Sequence, residues 1–480
     1  MIVDIKKLVF YNRGDLFQYV ATITGAFSIM SSGINLGWTS PYLPKLMANE
    51  TEPTITPPTN EEGSWCAVAP LLGSPFGALA AMYVSDIIGR KVTVLIMAPI
   101  VAACFILIAF STTIWEISIY RFIIGATEGA SYTALPMYIG EISDPQIRGF
   151  LTATIAIFAI TGTLFINIVG SIMNIFTSSI VCAAIPIVHF LFFAFMPESP
   201  YFYVKRNNYI KAKESLEIFR GRATVDEEME SICKAVTRQE RSEKAGILDL
   251  FSVSSNRKAC CIFLILNLTN KFSGKNPCLF YTESIFRESG SSIDPTLSVI
   301  VYCCVELAAV ATSTYFIVDR FGKRLLMIIS TAGCAVSVFL LGMYFYLKDF
   351  QAGIIENLDW LPITALVSYN VLFSIGLAYG PVSVLSELFP TNVKARALGI
   401  ADTFSVLMGV VVSKIFQITI DQFQTMSVPF LFFAVCSTIG LVFVIKYVPE
   451  TKGKTLEEIQ QFLIGEQTIT MEMRTNVNRI

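Results

Sequence analysis

The sequence predicts an all-α membrane protein of twelve spans, arranged as two related halves of six. Three observations predict it. The chain has too few charges to clothe a soluble surface, it holds twelve apolar stretches of bilayer length, and a set of charged markers recurs in the same order in both halves.

Of 480 residues, 54% are hydrophobic and 15% are charged. A soluble domain carries about 25% charged residues. A formal net charge of −2 gives no bulk attraction to nucleic acid. No cysteine spacing of the zinc type and no glycine fingerprint of the nucleotide type is present. Most of the eleven cysteines, among them Cys104, Cys182, Cys303 and Cys334, lie inside apolar segments. They read as small hydrophobes rather than as a disulfide framework. Lys6, Lys7 and Arg13 precede the first apolar stretch. That stretch is expected to stay in place as the first span rather than to leave as a signal peptide.

A helix that crosses a bilayer needs about 20 mostly apolar residues. Stretches of this kind run near 17–38, 64–85, 92–113, 116–139, 150–171 and 177–196. The second six run near 259–283, 297–318, 325–347, 361–386, 396–420 and 426–447. A polar break from Asn174 to Ser179 divides spans 5 and 6. Lys and Arg concentrate in the loops after spans 2, 4, 8 and 10, at Arg90, Lys91, Arg148, Arg320, Lys323, Arg324, Lys394 and Arg396. Cations stay on the cytoplasmic side, so both termini are expected there, in a multi-pass protein of the plasma membrane. The loop 39–63 then lies outside, and its Asn49-Glu50-Thr51 is a candidate glycosylation sequon. A second match, Asn267-Leu268-Thr269, falls inside span 7 and is expected to be silent.

The repeat is read from three markers. Asp86-Ile87-Ile88-Gly89-Arg90-Lys91 follows span 2, and Asp319-Arg320-Phe321-Gly322-Lys323-Arg324 follows span 8. Glu141 precedes Arg148 by seven residues after span 4, as Glu387 precedes Lys394 by seven after span 10. Pro197-Glu198-Ser199-Pro200 follows span 6, and Pro449-Glu450-Thr451 follows span 12. Three markers in register describe a parallel duplication related about the membrane normal, with a site between the halves. The domains are therefore expected at 1–196 and 259–448, with a linker at 197–258 and a tail at 449–480. Within the linker, Tyr209 to Arg220 and Val225 to Arg238 alternate charge with apolar residues at helical spacing, which predicts short amphipathic helices.

These motifs resemble those of the sugar porter branch of the major facilitator superfamily, and within it the insect trehalose-transporter type. The resemblance runs through nearly the whole chain. Beyond the repeat markers it rests on Arg121-Phe122-Ile123-Ile124-Gly125, Pro136-Met137-Tyr138-Ile139-Gly140-Glu141 and Ser273-Gly274 with Asn276. Phe280-Tyr281, Pro381, Glu387-Leu388-Phe389-Pro390 and Pro449-Glu450-Thr451-Lys452-Gly453 complete it. It implies the major facilitator fold and facilitative transport of a sugar, trehalose or a hexose, by alternating access. No cofactor, no metal and no enzymatic activity is implied. The expected partners are a small-molecule sugar and the lipid bilayer, and the expected state is a monomer.

The resemblance also implies a cytoplasmic gate. Arg90, Glu141, Arg148, Glu198, Arg324, Glu387, Lys394 and Glu450 are its members, pairing across the halves when the outer side is open. Ion pairs at a hydrated interface are worth about 0–1 kcal/mol each. That suits a latch whose two states must differ by only a few kcal/mol. The alternative is that the cations are topogenic alone, which leaves the acids unexplained.

Span 7 is expected to break near Gly274 and Pro277, because proline removes a backbone donor and clashes with the preceding turn. A broken helix at membrane depth lines a cavity. A sugar needs amide donors and acceptors beside flat apolar faces. Asn270, Lys271, Asn276, Pro381 and Ser405 are the candidate substrate residues, with Phe280 and Tyr281 closing the outer side.

Departures from the family pattern cluster at that site. The glutamine of span 5 falls on Ala156, and the glutamine pair of span 7 falls on Asn270 and Lys271. The tryptophan of span 10 falls on Val382, and the Asn-Trp pair of span 11 falls on Ser405 and Val406. Ionisable groups stand instead within spans, at Lys271, Lys275, Glu128, Glu306 and Asp402. Each costs about 2.5–3.5 kcal/mol at mid-membrane on insertion scales. Either Lys271 or Lys275 joins Glu306 or Asp402 in a charged site, or Lys271 snorkels or pairs structurally. Span 1 has no carboxylate between Gln18 and Pro44, which favours facilitated diffusion over proton-coupled symport. The lone His189 reads as a packed residue. A nutrient sensor that no longer moves substrate is the remaining alternative.

Overall fold

The structure is a computed structural model that describes residues 14–48, 55–222, 224–242, 254–317, 322–350, 358–381, 384, 388 and 391–450. No strand occurs among the described residues. Asn49, Glu387 and the side chain of Lys394 lie outside them.

The helices α1 (Gly14–Gly37), α2 (Thr39–Met47), α3 (Asn60–Ile88), α4 (Arg90–Ala109) and α5 (Ile114–Ile142) come first. They are followed by α6 (Arg148–Ile172), α7 (Ile175–Phe193) and the short linker helices α8 (Pro200–Lys205), α9 (Tyr209–Arg220) and α10 (Asp226–Ser242). Local chemistry sets several starts. Thr59 with Glu62 and Thr113 with Glu116 form capping boxes on α3 and α5. Asn174 caps α7 by accepting from the Thr177 N–H at 2.9 Å, at the polar break expected between spans 5 and 6.

Span 7 is broken into α11 (Ser254–Phe272), α12 (Lys275–Phe280) and α13 (Thr282–Ser289). Then come α14 (Pro295–Thr312), which runs into a π turn at Ser313–Ile317, and α15 (Lys323–Asp349), α16 (Leu361–Ile375), α17 (Thr391–Phe423) and α18 (Ser427–Tyr447). Eight of the described helices are long and apolar enough to cross a membrane on those criteria alone. Helix α5 is equally long but carries Glu116, Arg121, Glu128 and Glu141. Large apolar side chains such as Phe76, Ile172 and Ile439 stand exposed. That is the surface a helix turns to hydrocarbon, where backbone polar groups are already spent within the helix.

The chain packs as two compact units. The first holds the chain to Arg241 with Asn276–Ala311 and Ser413–Gln424; the second holds Ser242–Lys275, Thr312–Val412 and the chain from Thr425. In the first unit α3 packs on α5, α1 on α6 and α4 on α7. The α3–α5 contact is a backbone approach: a Cβ on Gly77 would stand 1.6 Å from the Ala126 carbonyl oxygen. In the second unit α15 packs on both α16 and α18. Span 3 thus lies on span 6 as span 9 lies on span 12.

Candidate functional site

The charged markers build a corner in each unit. In the first, Gly89 takes φ +111°, a conformation that favours glycine, and a Cβ there would stand 2.2 Å from Glu198 Oε2. The space admits the Glu198 carboxylate to the N-terminus of α4. It accepts from the Lys91 N–H at 2.9 Å, the Val92 N–H at 3.3 Å and the Ser199 N–H at 2.9 Å. A helix N-terminus offers unspent donors and partial positive charge. Burial pushes the Glu198 carboxyl up from the usual carboxylate range, against the downward pull of those three N–H groups. The Lys91 ammonium donates to the Ala194 carbonyl at the end of α7, at 2.7 Å.

The corner of the second unit has the same glycine, carboxylate and cation. A Cβ on Gly322 would stand 2.4 Å from Glu450 Oε2, ahead of α15. Arg324, which corresponds to Lys91, donates to the Ile445 carbonyl at the end of α18, at 2.5 Å.

Around the first corner the other markers are engaged locally. Arg90 is buried, with Nε 3.0 Å from Glu141 and Nη1 3.1 Å from Asp86. Ser199 caps α8 at the Tyr201 N–H, 3.2 Å away, and donates to Glu141. Pro200 opens α8, where a missing N–H costs nothing. The Pro197 carbonyl accepts from Tyr138 Oη at 2.7 Å. Arg148 is exposed and reaches the Ser143 carbonyl at 3.3 Å.

In the second unit, span 7 breaks where the sequence placed the break. Gly274 takes φ +94°, and a Cβ there would stand 2.7 Å from the Phe433 ring. Span 10 also leaves the helix, in a turn from Gly376 to Tyr379. The two interruptions are stitched together. Asn270 Nδ2 donates to the Leu377 carbonyl at 2.5 Å, and the Leu377 N–H donates to Ser330 Oγ at 2.9 Å. Ser273 Oγ lies 3.0 Å from Tyr369 Oη. Lys275 donates to Asn370 Oδ1 at 3.1 Å and stands 5.3 Å from the centre of the Phe373 ring. Asn370 is fully buried, and its Nδ2 has no partner among the described residues. An unspent buried amide costs about 1–3 kcal/mol until it finds an acceptor. Lys271 is half-buried and lies within electrostatic reach of Asp402. Pro381 is buried and Ser405 half-buried in the same unit.

In the first unit, Phe280 and Tyr281 are buried, and the Tyr281 ring centre lies 5.4 Å from that of Phe416, the two planes tilted by 31°. Asn276 is half-buried at the start of α12, and Glu306 is buried in α14. A second polar set joins spans 1, 2 and 4. Arg121 is fully buried, donating to the Asn35 carbonyl at 2.7 Å and the Cys66 carbonyl at 2.8 Å, with Trp38 stacked 5.0 Å away. Asn35 Nδ2 donates to Glu128 Oε1 at 2.8 Å. Glu128 therefore faces protein rather than lipid, as its insertion cost requires. His189 is packed: its Nδ1 bonds the Thr24 carbonyl at 2.7 Å and its ring stacks on Phe193.

A family model described as "Sugar (and other) transporter" matches residues 13–463. The chain belongs to the sugar transporter family. Among its relatives is "Facilitated trehalose transporter Tret1" of Polypedilum vanderplanki, 32% identical over 96% of this chain and 91% of that protein. The protein of the same name from Culex quinquefasciatus is 31% identical over 93% of this chain and 86% of its own length. The fold is that of the xylose transporter XylE from E. coli. Its inward open structure matches 92% of this chain and 98% of XylE with a TM-score of 0.74 at 22% identity. The structure of XylE as a proton:xylose symporter bound to 6-bromo-6-deoxy-D-glucose gives 0.73.

For a sugar transporter the polar residues that sequence reasoning passed over are Asn35, Tyr369 and Asn370. Each is an ordinary polar residue in an apolar run. Only the rotation of its helix aims it at Arg121, Ser273 or Lys275.

Proposed function

We propose that this chain moves a sugar, trehalose or a hexose, across the plasma membrane by facilitated diffusion through alternating access. The observation that supports this most is the pair of adjoining interruptions in spans 7 and 10, with the unspent Asn370 amide beside Lys275, in a chain of this family. Interrupted helices at membrane depth expose backbone and side-chain polar groups to a cavity. A sugar hydroxyl both donates and accepts, so it suits a mixed set of Asn270, Lys271, Asn276 and Ser405. Pro381 shapes span 10, and Phe280 and Tyr281 close the non-cytoplasmic end. Names of relatives speak for trehalose.

On this reading the halves are 1–196 and 259–448, joined by the linker 197–258 and followed by the tail 449–480. The basic corners and both termini face the cytoplasm, and Asn49 carries glycan. Arg90, Glu141, Arg148, Glu198, Arg324, Glu387, Lys394 and Glu450 form the cytoplasmic gate. The carboxylates stand at the same helix ends as the cations, so short movements exchange local partners for partners in the other half. The transporter works as a monomer, with the bilayer and the sugar as its partners.

Radiolabelled uptake of trehalose, glucose and a polyol panel in oocytes tests the proposal. Saturable uptake of trehalose or a hexose is expected. Absence of flux for every sugar, with the protein at the surface, replaces transport with sensing.

A further inference from the structure

The first unit includes a piece of span 11, Ser413–Gln424, seated on the start of α3. This contact lies at the end of the molecule away from the basic corners: α3 starts at Asn60 and reaches the first corner only at Ile88. Lys414 Nζ stands 3.6 Å from the centre of the Trp65 ring and donates to Ser64 Oγ at 2.7 Å. Asp421 accepts from Asn60 Nδ2 at 2.8 Å and from Gln417 Nε2 at 3.1 Å. Residues 414, 417 and 421 recur at the spacing of one helix face. Between them Phe416, fully buried, meets Tyr281. A cation over an indole face is held by the ring's quadrupole as well as by its hydrogen bond.

Beyond its basic start, α17 carries Lys414 together with Asp402 and Asp421, and a charge at membrane depth costs free energy unless it is put to use. The Lys414 ammonium is used on another segment, 350 residues away in the chain. Glu61 and Asp421 add their negative charge around it.

We propose that Lys414 is the pin of a latch that holds the non-cytoplasmic gate shut, with Trp65 and Ser64 as its seat and the Asp421–Asn60 pair as a second fastening. This rests on the alternating-access reading above. Opening that end draws span 11 off α3, and Lys414 must leave the indole face first. Lys414 is a positioning residue: it sets the balance between the two access states and does not itself meet the sugar.

The test is a comparison of Lys414→Met, Lys414→Arg and Trp65→Leu with the parent chain. Zero-trans influx and efflux of the transported sugar give a KM for each side. Labelling of Cys66 by a membrane-impermeant thiol reagent, with Cys66→Ala as the control, reports opening directly, because Cys66 is buried next to Trp65. Lys414→Met is expected to lower the outer KM and raise the inner KM several-fold. The ratio Vmax/KM must stay equal in the two directions, since the carrier is passive. Cys66 labelling is expected to speed up several-fold. Trp65→Leu produces the same shifts with Lys414 in place, and Lys414→Arg restores parental values, because arginine keeps both the charge and the stacking. Parental KM asymmetry and parental labelling in Lys414→Met and Trp65→Leu overturn the latch. Loss of all sugar flux in the parent chain would instead sink the transport reading, and the labelling comparison would still decide on the latch.

Discussion

The corners and the helix middles of this protein carry the duplication differently. At the corners the two units are built alike: a glycine admits a carboxylate to a helix start, and a cation two residues further on ties that helix to the end of another. Glu198 with Gly89 and Lys91, and Glu450 with Gly322 and Arg324, are the two copies. In the middle of the helices the units share no such plan. The first buries an Arg121–Asn35–Glu128 network. The second breaks two helices and leaves Lys275 on Asn370. Helix starts obey backbone rules that leave few solutions. Side chains in the middle of a helix are under no such shared backbone rule, so the two halves have no reason to agree there.

That contrast can be broken at several points. Gly89→Val is expected to have the largest effect. It puts a branched side chain at φ +111° and into the Glu198 carboxylate, a combination worth about 3 kcal/mol or more. The variant should fail to reach the surface, as read by surface biotinylation and by thermal unfolding in detergent. Gly322 has an ordinary φ, −65°. A much smaller loss for Gly322→Val would show that the two corners share contacts but not backbone strain.

The double variant Lys271→Gln with Lys275→Gln tests the middle of the second unit. Sugar flux is expected to fall by an order of magnitude or more, with surface abundance kept; unchanged uptake kinetics would reduce both lysines to structural residues. Asn370→Ala removes one buried amide that awaits an acceptor. A hydrogen bond of about 1.4 kcal/mol is a tenfold effect, so KM should rise about tenfold, with some loss of thermal stability because Asn370 Oδ1 also accepts from Lys275. Glu450→Gln is expected to have the smallest effect, about 1 kcal/mol of stability, because a neutral amide still accepts from helix N–H groups. Thermal shift reads it, and an equal loss in Glu198→Gln would confirm that the corners act alike.

What the sequence alone determined is what depends on near neighbours in the chain. Bilayer-length apolar runs marked the helices, Gly274 and Pro277 marked the break, and charge alternation marked α9. Asn174 marked the division of α6 from α7. The repeat markers, too, were visible as strings before their contacts were. What only the tertiary structure decided is which side chains meet across distant segments. Lys275 finding Asn370, Asn35 joining Arg121 to Glu128, and Lys414 lying on Trp65 all depend on the rotation and depth of each helix. Those are set by packing against several neighbours at once, and a single stretch of sequence carries no record of them.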